Sequence, residues 1–183
     1  MRKLKLQMHI SLDGFVATTN SEPTNFKWDD GVRSYSIDNL KKADCLLIGR
    51  TTAEALIPAW AEIDANPKHA DYELGKRITD IPKVIFSNNL KTNKWDNATI
   101  LHGNFANEIK ALKEKKGKDI IVYGGVTFAS SLINEGLIDE YHLLLNPVAL
   151  GNGMKIFNGR TNLELEKSIQ FACGIMLLVY KPG

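Results

Sequence analysis

The sequence predicts one α/β domain over residues 1–183, with a mostly parallel twisted sheet, helices on both faces and a C-terminal antiparallel hairpin. Two observations lead to this fold class. Short apolar runs rich in strand-forming residues alternate with segments of helical periodicity, which is typical of a parallel sheet covered by helices. From residue 140 onward the alternation stops and three strand-like runs follow one another, which favours antiparallel pairing at one edge. A length of 183 residues and an apolar content of 44% suit a single domain with a sizeable core.

The predicted strands are apolar runs bounded by glycines and polar turns. The run Cys45–Ile48, which Gly49 stops, is continuously apolar and is therefore expected to be covered on both faces. The other predicted strands cover residues 4–10, 83–86, 98–101, 120–123, 140–146, 163–171 and 175–181. The last two are expected to form the hairpin, with its turn at Cys173 and Gly174.

The predicted helices follow apolar residues spaced three or four apart. They cover residues 32–42, 106–116 and 126–134, and a further helix is expected to begin near Thr52. The irregular stretch from Pro58 to His69 is expected to be a surface loop.

Composition and charge exclude several classes of function. The net charge of +2 is too small to indicate a nucleic-acid-binding face. No apolar run approaches the roughly 20 residues that span a bilayer, and no secretory signal is recognisable, so we expect a cytoplasmic protein without membrane contact. The four histidines are scattered, with no i, i+4 pair and no nearby cysteine ligand, so no metal site is expected.

A first candidate site lies where the strand ending at Gly49 gives way to a helix. Thr51 and Glu54 have the spacing of a capping box, which predicts a helix start. The free N–H groups of a helix N-terminus bind anions, and Arg50 adds a planar cation suited to phosphate. The alternative interpretation is an ordinary capped helix with a surface arginine.

A second candidate site has the same design. The strand ending at Tyr123 leads through Gly124 and Gly125 into the helix that begins at Val126. Glycines in such a turn let the backbone approach a ligand closely, although a tight strand-to-helix turn explains one Gly-Gly equally well. Two such junctions in one α/β chain favour a ligand with two phosphates, because ligands bind at the carboxyl ends of the strands. Ser87 follows another strand at the same edge.

Taken in order, these motifs resemble the dihydrofolate reductase-like superfamily, and within it the riboflavin biosynthesis reductases of the RibD C-terminal domain-like family. The resemblance covers nearly the whole chain. It is carried by Ser11-Leu12-Asp13-Gly14, Gly49-Arg50-Thr51-Thr52-x-Glu54, Ser87, Gly124-Gly125, Asp139-Glu140 and Asn146-Pro147-Val148-x-x-Gly151-x-Gly153 with Phe157.

The resemblance implies NADPH as cofactor and hydride transfer to a small heterocycle, such as a pyrimidine or a pterin. It implies that the first junction holds the 2′-phosphate end, the second holds the diphosphate, and the turn at residues 12–15 borders the nicotinamide. The candidate cofactor-binding residues are Leu12, Gly14, Phe15, Gly49, Arg50, Thr51, Thr52, Ser87, Gly124, Gly125, Val126, Thr127 and Phe128. Asp13 and Trp28 are candidate substrate-binding residues, although Asp13 is equally suited to bracing its own loop and Trp28 to the core.

Two departures from the riboflavin-type pattern bear on the substrate. Tyr123 stands where those reductases usually carry a glutamate, and residues 55–60 lack their Asp-Asp-Pro segment and its downstream arginine. The Gly-Arg-x-Thr-x-Glu motif is more similar to true dihydrofolate reductase, which needs a buried carboxylic acid near its first helix. Asp30 or Asp29 is the candidate catalytic acid, and an exposed helix N-cap is the alternative interpretation.

We therefore expect an NADPH-dependent reductase of a small heterocycle, with a 5-amino-6-(5-phosphoribosylamino)uracil-like or pterin-type substrate. True dihydrofolate reductase is one alternative, and a nucleotide-binding protein without turnover is another. A homodimer is expected only because members of the family often pair.

Overall fold

The computed structural model describes residues 1–19 and 24–183, and within these ranges the chain forms eight strands and five helices. The strands are β1 (Leu4–Ser11), β2 (Ala43–Gly49), β3 (Lys83–Phe86), β4 (Ala98–Leu101), β5 (Asp119–Val122), β6 (Glu140–Asn146), β7 (Leu163–Gln170) and β8 (Met176–Pro182). The helices are α1 (Asp30–Lys41), α2 (Arg50–Asp64), α3 (Tyr72–Asp80), α4 (Phe105–Glu114) and α5 (Val126–Asn134).

The strands form one sheet in the order β4-β3-β2-β5-β1-β6-β8-β7. Every pair from β4 to β6 is parallel, whereas β8 runs antiparallel to both β6 and β7. The hairpin turn contains Cys173 and Gly174, and the N–H of Gly174 donates to the carbonyl of Phe171 at 3.0 Å. The predicted α/β class, with its parallel sheet and C-terminal antiparallel hairpin, is confirmed.

Helices cover both faces of the sheet, and β2 shows how the sequence achieves this. Successive side chains of a strand point to opposite faces. Cys45 and Leu47 pack in the core cluster with α4 and α5, while Leu46 and Ile48 pack in the cluster with α1, α2 and α3. A continuous apolar run is thus what a strand buried between two helical layers requires.

Of two local predictions around α2, one is wrong and the other is correct only in part. The helix begins at Arg50 with Gly49 as its N-cap, so Thr51 does not form a capping box, and Glu54 accepts a hydrogen bond from Arg50 instead. The stretch from Pro58 to His69 is a loop only in its second part, because α2 continues through Pro58 to Asp64 and residues 65–69 form turns. The proline removes one backbone hydrogen bond, but Ile57 and Trp60 pack against the core on either side of it.

The strand connections create a crevice between β2 and β5. From β2 the chain proceeds to β3 on one side of the sheet, and from β5 it proceeds to β6 on the other. Neighbouring parallel strands whose connections diverge in this way leave an opening at their carboxyl ends, where α/β proteins bind ligands. Among the described residues, no helix combines the length and apolarity needed to cross a bilayer.

Candidate active site

A cavity of about 700 Å³ lies at the carboxyl ends of β2 and β5, and we call it the β2–β5 cleft. Its lining includes four consecutive residues from each predicted junction: Gly49, Arg50, Thr51 and Thr52, and Gly125, Val126, Thr127 and Phe128. The structure thus brings together two segments that are more than seventy positions apart in the sequence. The crevice expected from the topology is also where the two predicted anion sites meet.

Two helices point their N-termini at this cleft. The N-cap residues, Gly49 for α2 and Gly125 for α5, are glycines and make no side-chain cap hydrogen bond. The first N–H groups of a helix have no partner within the helix, and the helix dipole favours negative charge beside them. The cleft therefore presents two adjacent sets of N–H donors to an anionic ligand.

The diglycine turn fits closely against α2. Gly125 has φ +77°, and a Cβ there would lie 2.6 Å from Oγ1 of Thr52 and 3.4 Å from Cβ of Phe128. Gly124 has a similar φ of +75°, but the nearest atom to its hypothetical Cβ is Cε of Met8 at 4.0 Å. Backbone torsion therefore favours glycine at both positions, and only at Gly125 does the neighbouring helix also exclude a side chain.

Arg50 lies at the mouth of the cleft with its charge already paired. Its Nη1 is 2.9 Å from Oε2 of Glu54, one helical turn further on, and Nζ of Lys94 is 4.0 Å from the other oxygen of that carboxylate. The side chain of Arg50 is 44% exposed, so this ion pair is screened by solvent. An anion in the cleft would compete with Glu54 for the guanidinium.

One wall of the cleft is aromatic, and of its three rings only Phe128 was predicted from the sequence. The ring of Phe105 packs edge-to-face against Phe86, with centroids 4.9 Å apart, and against Phe128, with centroids 5.6 Å apart. All three residues line the cleft. Phe86 ends an apolar strand and Phe105 begins an amphipathic helix, so both have the pattern of ordinary core residues.

A second cavity, of about 390 Å³, lies beside the cleft, and we call it the aromatic cavity. Its lining comprises Gln7, Met8, His9, Val16, Phe26, Lys27, Trp28, Ser36, Leu56, Trp60, Tyr123 and Gly124. Gly124 borders the aromatic cavity and Gly125 borders the cleft, so the two cavities meet at the diglycine turn. A ligand in one cavity therefore lies next to a ligand in the other.

His9 is a neutral group within the aromatic cavity. Its ring stacks on Phe26 at a centroid distance of 5.9 Å and lies 5.8 Å from the ring of Trp28. Burial lowers the pKa of His9 to about 4, and Asn146 holds the ring with Nδ2 at 3.2 Å from Nδ1. Trp28, predicted as a substrate-binding residue, thus lies in a cavity suited to a flat ring.

The two candidate acids, Asp29 and Asp30, do not line either cavity. Asp29 is the N-cap of α1, and its carboxylate accepts from the N–H of Val32 at 2.8 Å and of Cys173 at 2.9 Å. These hydrogen bonds to the charged form lower the pKa of Asp29, whereas a proton donor at neutral pH needs a raised one. The side chain of Asp30 is 96% exposed and forms an ion pair with Arg33. The geometry favours the N-cap interpretation, and a catalytic role for either carboxylate stays a prediction.

Asp13 braces a loop within the described structure. Its carboxylate accepts from the N–H groups of Leu150 at 3.0 Å and Gly151 at 2.7 Å, and from Oγ of Ser11 at 2.6 Å. These hydrogen bonds, with that of Ser11 the largest contribution, lower the pKa of Asp13 to about 2. Asp13 thus joins the turn after β1 to the loop after β6, and its predicted contact with substrate stays a prediction.

The remaining predicted cofactor residues do not line the cleft. Leu12, Gly14 and Phe15 form the turn after β1, next to Val16 of the aromatic cavity, and Leu12 is exposed. Ser87 is buried, and its Oγ accepts from the N–H groups of Asn89 and Leu90, so it shapes the turn after β3. Its neighbour Phe86, and not Ser87, lines the cleft.

Comparisons with known proteins agree with this fold. The family model of the RibD C-terminal domain matches residues 2–177. The Bacillus subtilis protein YyaP is 32% identical over 98% of this chain and 94% of its own length. A putative riboflavin biosynthesis protein from Shewanella sp. PV-4 superposes with a TM-score of 0.74 at 19% identity, covering 100% of this chain and 99% of that one.

A two-function enzyme shows the same fold in part of its length. The Thermotoga maritima diaminohydroxyphosphoribosylaminopyrimidine deaminase/5-amino-6-(5-phosphoribosylamino)uracil reductase matches with a TM-score of 0.69 and 15% identity, over 100% of this chain and 57% of that one. From the motifs, the sheet and these matches together, we conclude that the chain belongs to the RibD C-terminal domain family and has the dihydrofolate reductase-like fold.

Proposed function

We propose that the protein is an NADPH-dependent reductase that transfers a hydride to a small heterocyclic substrate. The observation that carries this proposal is the meeting of the β2–β5 cleft and the aromatic cavity at Gly124 and Gly125. A hydride passes between two molecules only when their reacting atoms are held side by side. The family supports a reductase, and the two adjoining cavities supply one place for a cofactor and one for its substrate.

The cleft fits a dinucleotide. Two helix N-termini without side-chain caps suit the two phosphorylated parts of NADPH, the diphosphate and the 2′-phosphate, and a side chain at Gly125 would collide with Thr52. In this proposal Gly124, Gly125 and Val126 hold the diphosphate, and Arg50 with Thr51 and Thr52 holds the 2′-phosphate end. Residues 12–15 border the nicotinamide. Bound there, NADPH would supply the hydride.

The protein's own contribution is alignment and exclusion of water. Phe26, Trp28 and Trp60 give the aromatic cavity flat apolar walls that a planar ring can stack on. Neutral His9 adds no charge to these walls. A substrate ring held there lies beside the diglycine, which borders the proposed cofactor site.

True dihydrofolate reductase is less well supported. Such an enzyme needs a carboxylic acid in contact with the pterin, and the described residues that line the aromatic cavity include no aspartate or glutamate. Tyr123 occupies the position before the diglycine where a riboflavin-type reductase usually has a glutamate. We therefore propose a pyrimidine-like or related ring that is bound without a carboxylate.

The experiment that tests the proposal has two stages. First, NADPH is titrated into the protein and its fluorescence followed, with NADH as the matched control; we expect saturable binding and a preference for NADPH. Second, loss of the reduced-nicotinamide absorbance is followed with a panel of pterins, ribosylaminopyrimidines and quinones. Absence of NADPH binding would overturn the proposal. Tight binding without turnover of any member of the panel would favour a nucleotide-binding protein instead. Light scattering of the same sample tests the predicted homodimer.

A further inference from the structure

The floor of the aromatic cavity is formed by two polar side chains on neighbouring strands. Leu6 of β1 pairs with Val122 of β5, so the next residues, Gln7 and Tyr123, lie side by side. Both line the cavity, and Gln7 is only 8% exposed. A buried amide needs partners for its oxygen and its two N–H groups.

A chain of buried hydrogen bonds leads away from Gln7 beneath α1. Nδ2 of Asn39 lies 2.8 Å from Oε1 of Gln7 and 3.4 Å from Nδ1 of His142. On the far side of that ring, Nε2 of His142 lies 2.6 Å from Oε1 of Glu140. At the other end, Nε2 of Gln7 donates to Oγ of Ser36 at 2.9 Å.

The partners of His142 leave Asn39 available to Gln7. A carboxylate only accepts, so Nε2 of His142 donates to Glu140, while the nearest partner of Nδ1 is the hydroxyl of Tyr35. Nδ2 of Asn39 is further from that nitrogen, at 3.4 Å, and its shorter hydrogen bond is the one it donates to Gln7. The carbonyl oxygen of Gln7 is therefore occupied inside the protein.

Ser36 fixes the other half of the amide. Its hydroxyl donates to the carbonyl of Val32 at 2.9 Å, which leaves its oxygen to accept one N–H of Gln7. Of the polar groups of Gln7, one N–H remains without a partner among the described residues. Gln7 thus offers this N–H to the cavity as a hydrogen-bond donor.

The hydroxyl of Tyr123 does not add a second donor to this floor. It has almost no exposed surface and no hydrogen-bond partner among the described residues, so a ligand in the cavity does not reach it. The donor that the floor offers is therefore the amide of Gln7.

We propose that Gln7 is a specificity-determining residue and that the aromatic cavity selects an uncharged planar ring bearing a carbonyl oxygen. Gln7 donates to that oxygen, and Asn39 acts as a positioning residue that keeps the amide in its donor orientation. The surroundings favour the same class of ligand: the described lining contains a lysine, Lys27, but no carboxylate that would balance a cationic ring. The inference rests on the proposed function, because it takes this cavity to be the substrate site.

The test uses binding without any nicotinamide cofactor. The probes are quinazolin-4-one, which presents a carbonyl oxygen, and 4-aminoquinazoline, which presents an amino group on a ring of the same size. Each is titrated into the protein and followed by tryptophan fluorescence, because Trp28 and Trp60 line the cavity. We expect the wild-type protein to bind the carbonyl probe about tenfold more tightly, which corresponds to about 1.4 kcal/mol.

Two variants and one control decide the outcome. Gln7→Met removes the donor at nearly constant volume, and Asn39→Ala releases the amide so that it can rotate; each should reduce the tenfold preference to about one. Gln170→Met makes the same change at an exposed position of β7 and should keep the wild-type ratio.

A structural role alone would weaken both probes equally and leave their ratio at the wild-type value, and that result would overturn the proposal. Absence of any preference in the wild-type protein would overturn it as well. The outcome is separate from that of the reductase proposal, which fails through lack of NADPH binding.

Discussion

The hydroxyl of Thr52 occupies the space that a side chain at Gly125 would need, since a Cβ there would lie 2.6 Å from Oγ1. Thr52 belongs to the first turn of α2, and Gly125 is the N-cap of α5. The two helix N-termini at the cleft are thus in direct contact, and the backbone of one junction is fitted to a side chain of the other.

Gly125→Ala should therefore weaken NADPH binding by tenfold or more and also lower the free energy of unfolding. The matched control is Gly124→Ala, which has nearly the same positive φ but open space around its Cβ. The left-handed torsion alone is unfavourable by about 1–2 kcal/mol, and only Gly125→Ala adds the displacement of Thr52. Urea unfolding and a fluorescence titration measure the two effects. Equal NADPH affinity in wild type and Gly125→Ala would remove the diglycine turn from the cofactor site.

Arg50→Ala should weaken NADPH binding by about tenfold to a hundredfold and leave NADH binding nearly unchanged. A charge-assisted hydrogen bond to the 2′-phosphate contributes about 1.5–3 kcal/mol, and NADH lacks that phosphate. The loss should shrink as salt rises, because the side chain is partly exposed. Isothermal calorimetry with both cofactors measures it.

Glu54→Gln is the companion variant for Arg50. It removes the carboxylate that now holds the guanidinium at 2.9 Å, so NADPH should bind several-fold more tightly than to wild type. Equal weakening of both cofactors by Arg50→Ala would assign the arginine to the diphosphate or to the fold. An unchanged affinity for both would leave this helix start without a cofactor role.

Asp30→Asn should leave turnover and its pH profile unchanged, because the carboxylate is exposed and paired with Arg33. Asp29→Ala should instead lower the free energy of unfolding by about 0.5–2 kcal/mol, since it removes the N-cap of α1. Both are measured by urea unfolding and by kcat as a function of pH with the substrate found in the panel. A turnover loss confined to neutral pH in either variant, with NADPH affinity intact, would identify that carboxylate as the acid.

His9 should make the protein less stable as the pH falls from 7 to 5. Burial lowers its pKa to about 4, against an ordinary value of 6.5, so between these values the unfolded state binds the extra proton. The contribution of neutral His9 to the free energy of unfolding is thus fully present above pH 6.5 and is lost on acidification. At pH 5 the loss is on the order of 1–2 kcal/mol. Urea unfolding at both pH values should show a smaller loss in His9→Gln, whereas His102→Gln, at an exposed position, should behave like wild type. Equal losses in wild type and His9→Gln would contradict the burial of a neutral imidazole.

The fold could be predicted from the sequence because each strand can be recognised from its own short run of residues. Runs such as Cys45–Ile48 are apolar on both faces, and glycines mark where they end. Helix α3 was not predicted, because Gly75 lies in its middle and glycine disfavours helices. The structure supplies the reason for that glycine: a Cβ there would lie 2.7 Å from Cγ2 of Ile63 in α2. Close packing between the two helices thus overrides the low helix propensity of Gly75. This packing cannot be recognised in a single sequence.

The candidate site also has a part that could be predicted from local sequence and a part that depends on tertiary packing. Both helix junctions of the cleft could be predicted, because turn glycines and the residues that follow them are local signals. The aromatic cavity could not, apart from Trp28. On β1, Gln7 and His9 alternate with Leu6, Met8 and Ile10, a pattern typical of a strand with one face in water. In the fold α1 covers that polar face, and whether alternating polar residues meet solvent or a buried network depends on what packs over them.

Helix α2 borders both cavities, with Arg50 and Thr52 at the cleft and Leu56 and Trp60 at the aromatic cavity. The two cavities therefore share one wall element, so a ligand that displaced this helix in one cavity would also displace part of the wall of the other. Pro58 lies within the helix and leaves one carbonyl of the preceding turn without its helical N–H partner. If occupancy of either cavity moves this helix, thermodynamic reciprocity requires that each ligand alter the affinity of the other by the same factor.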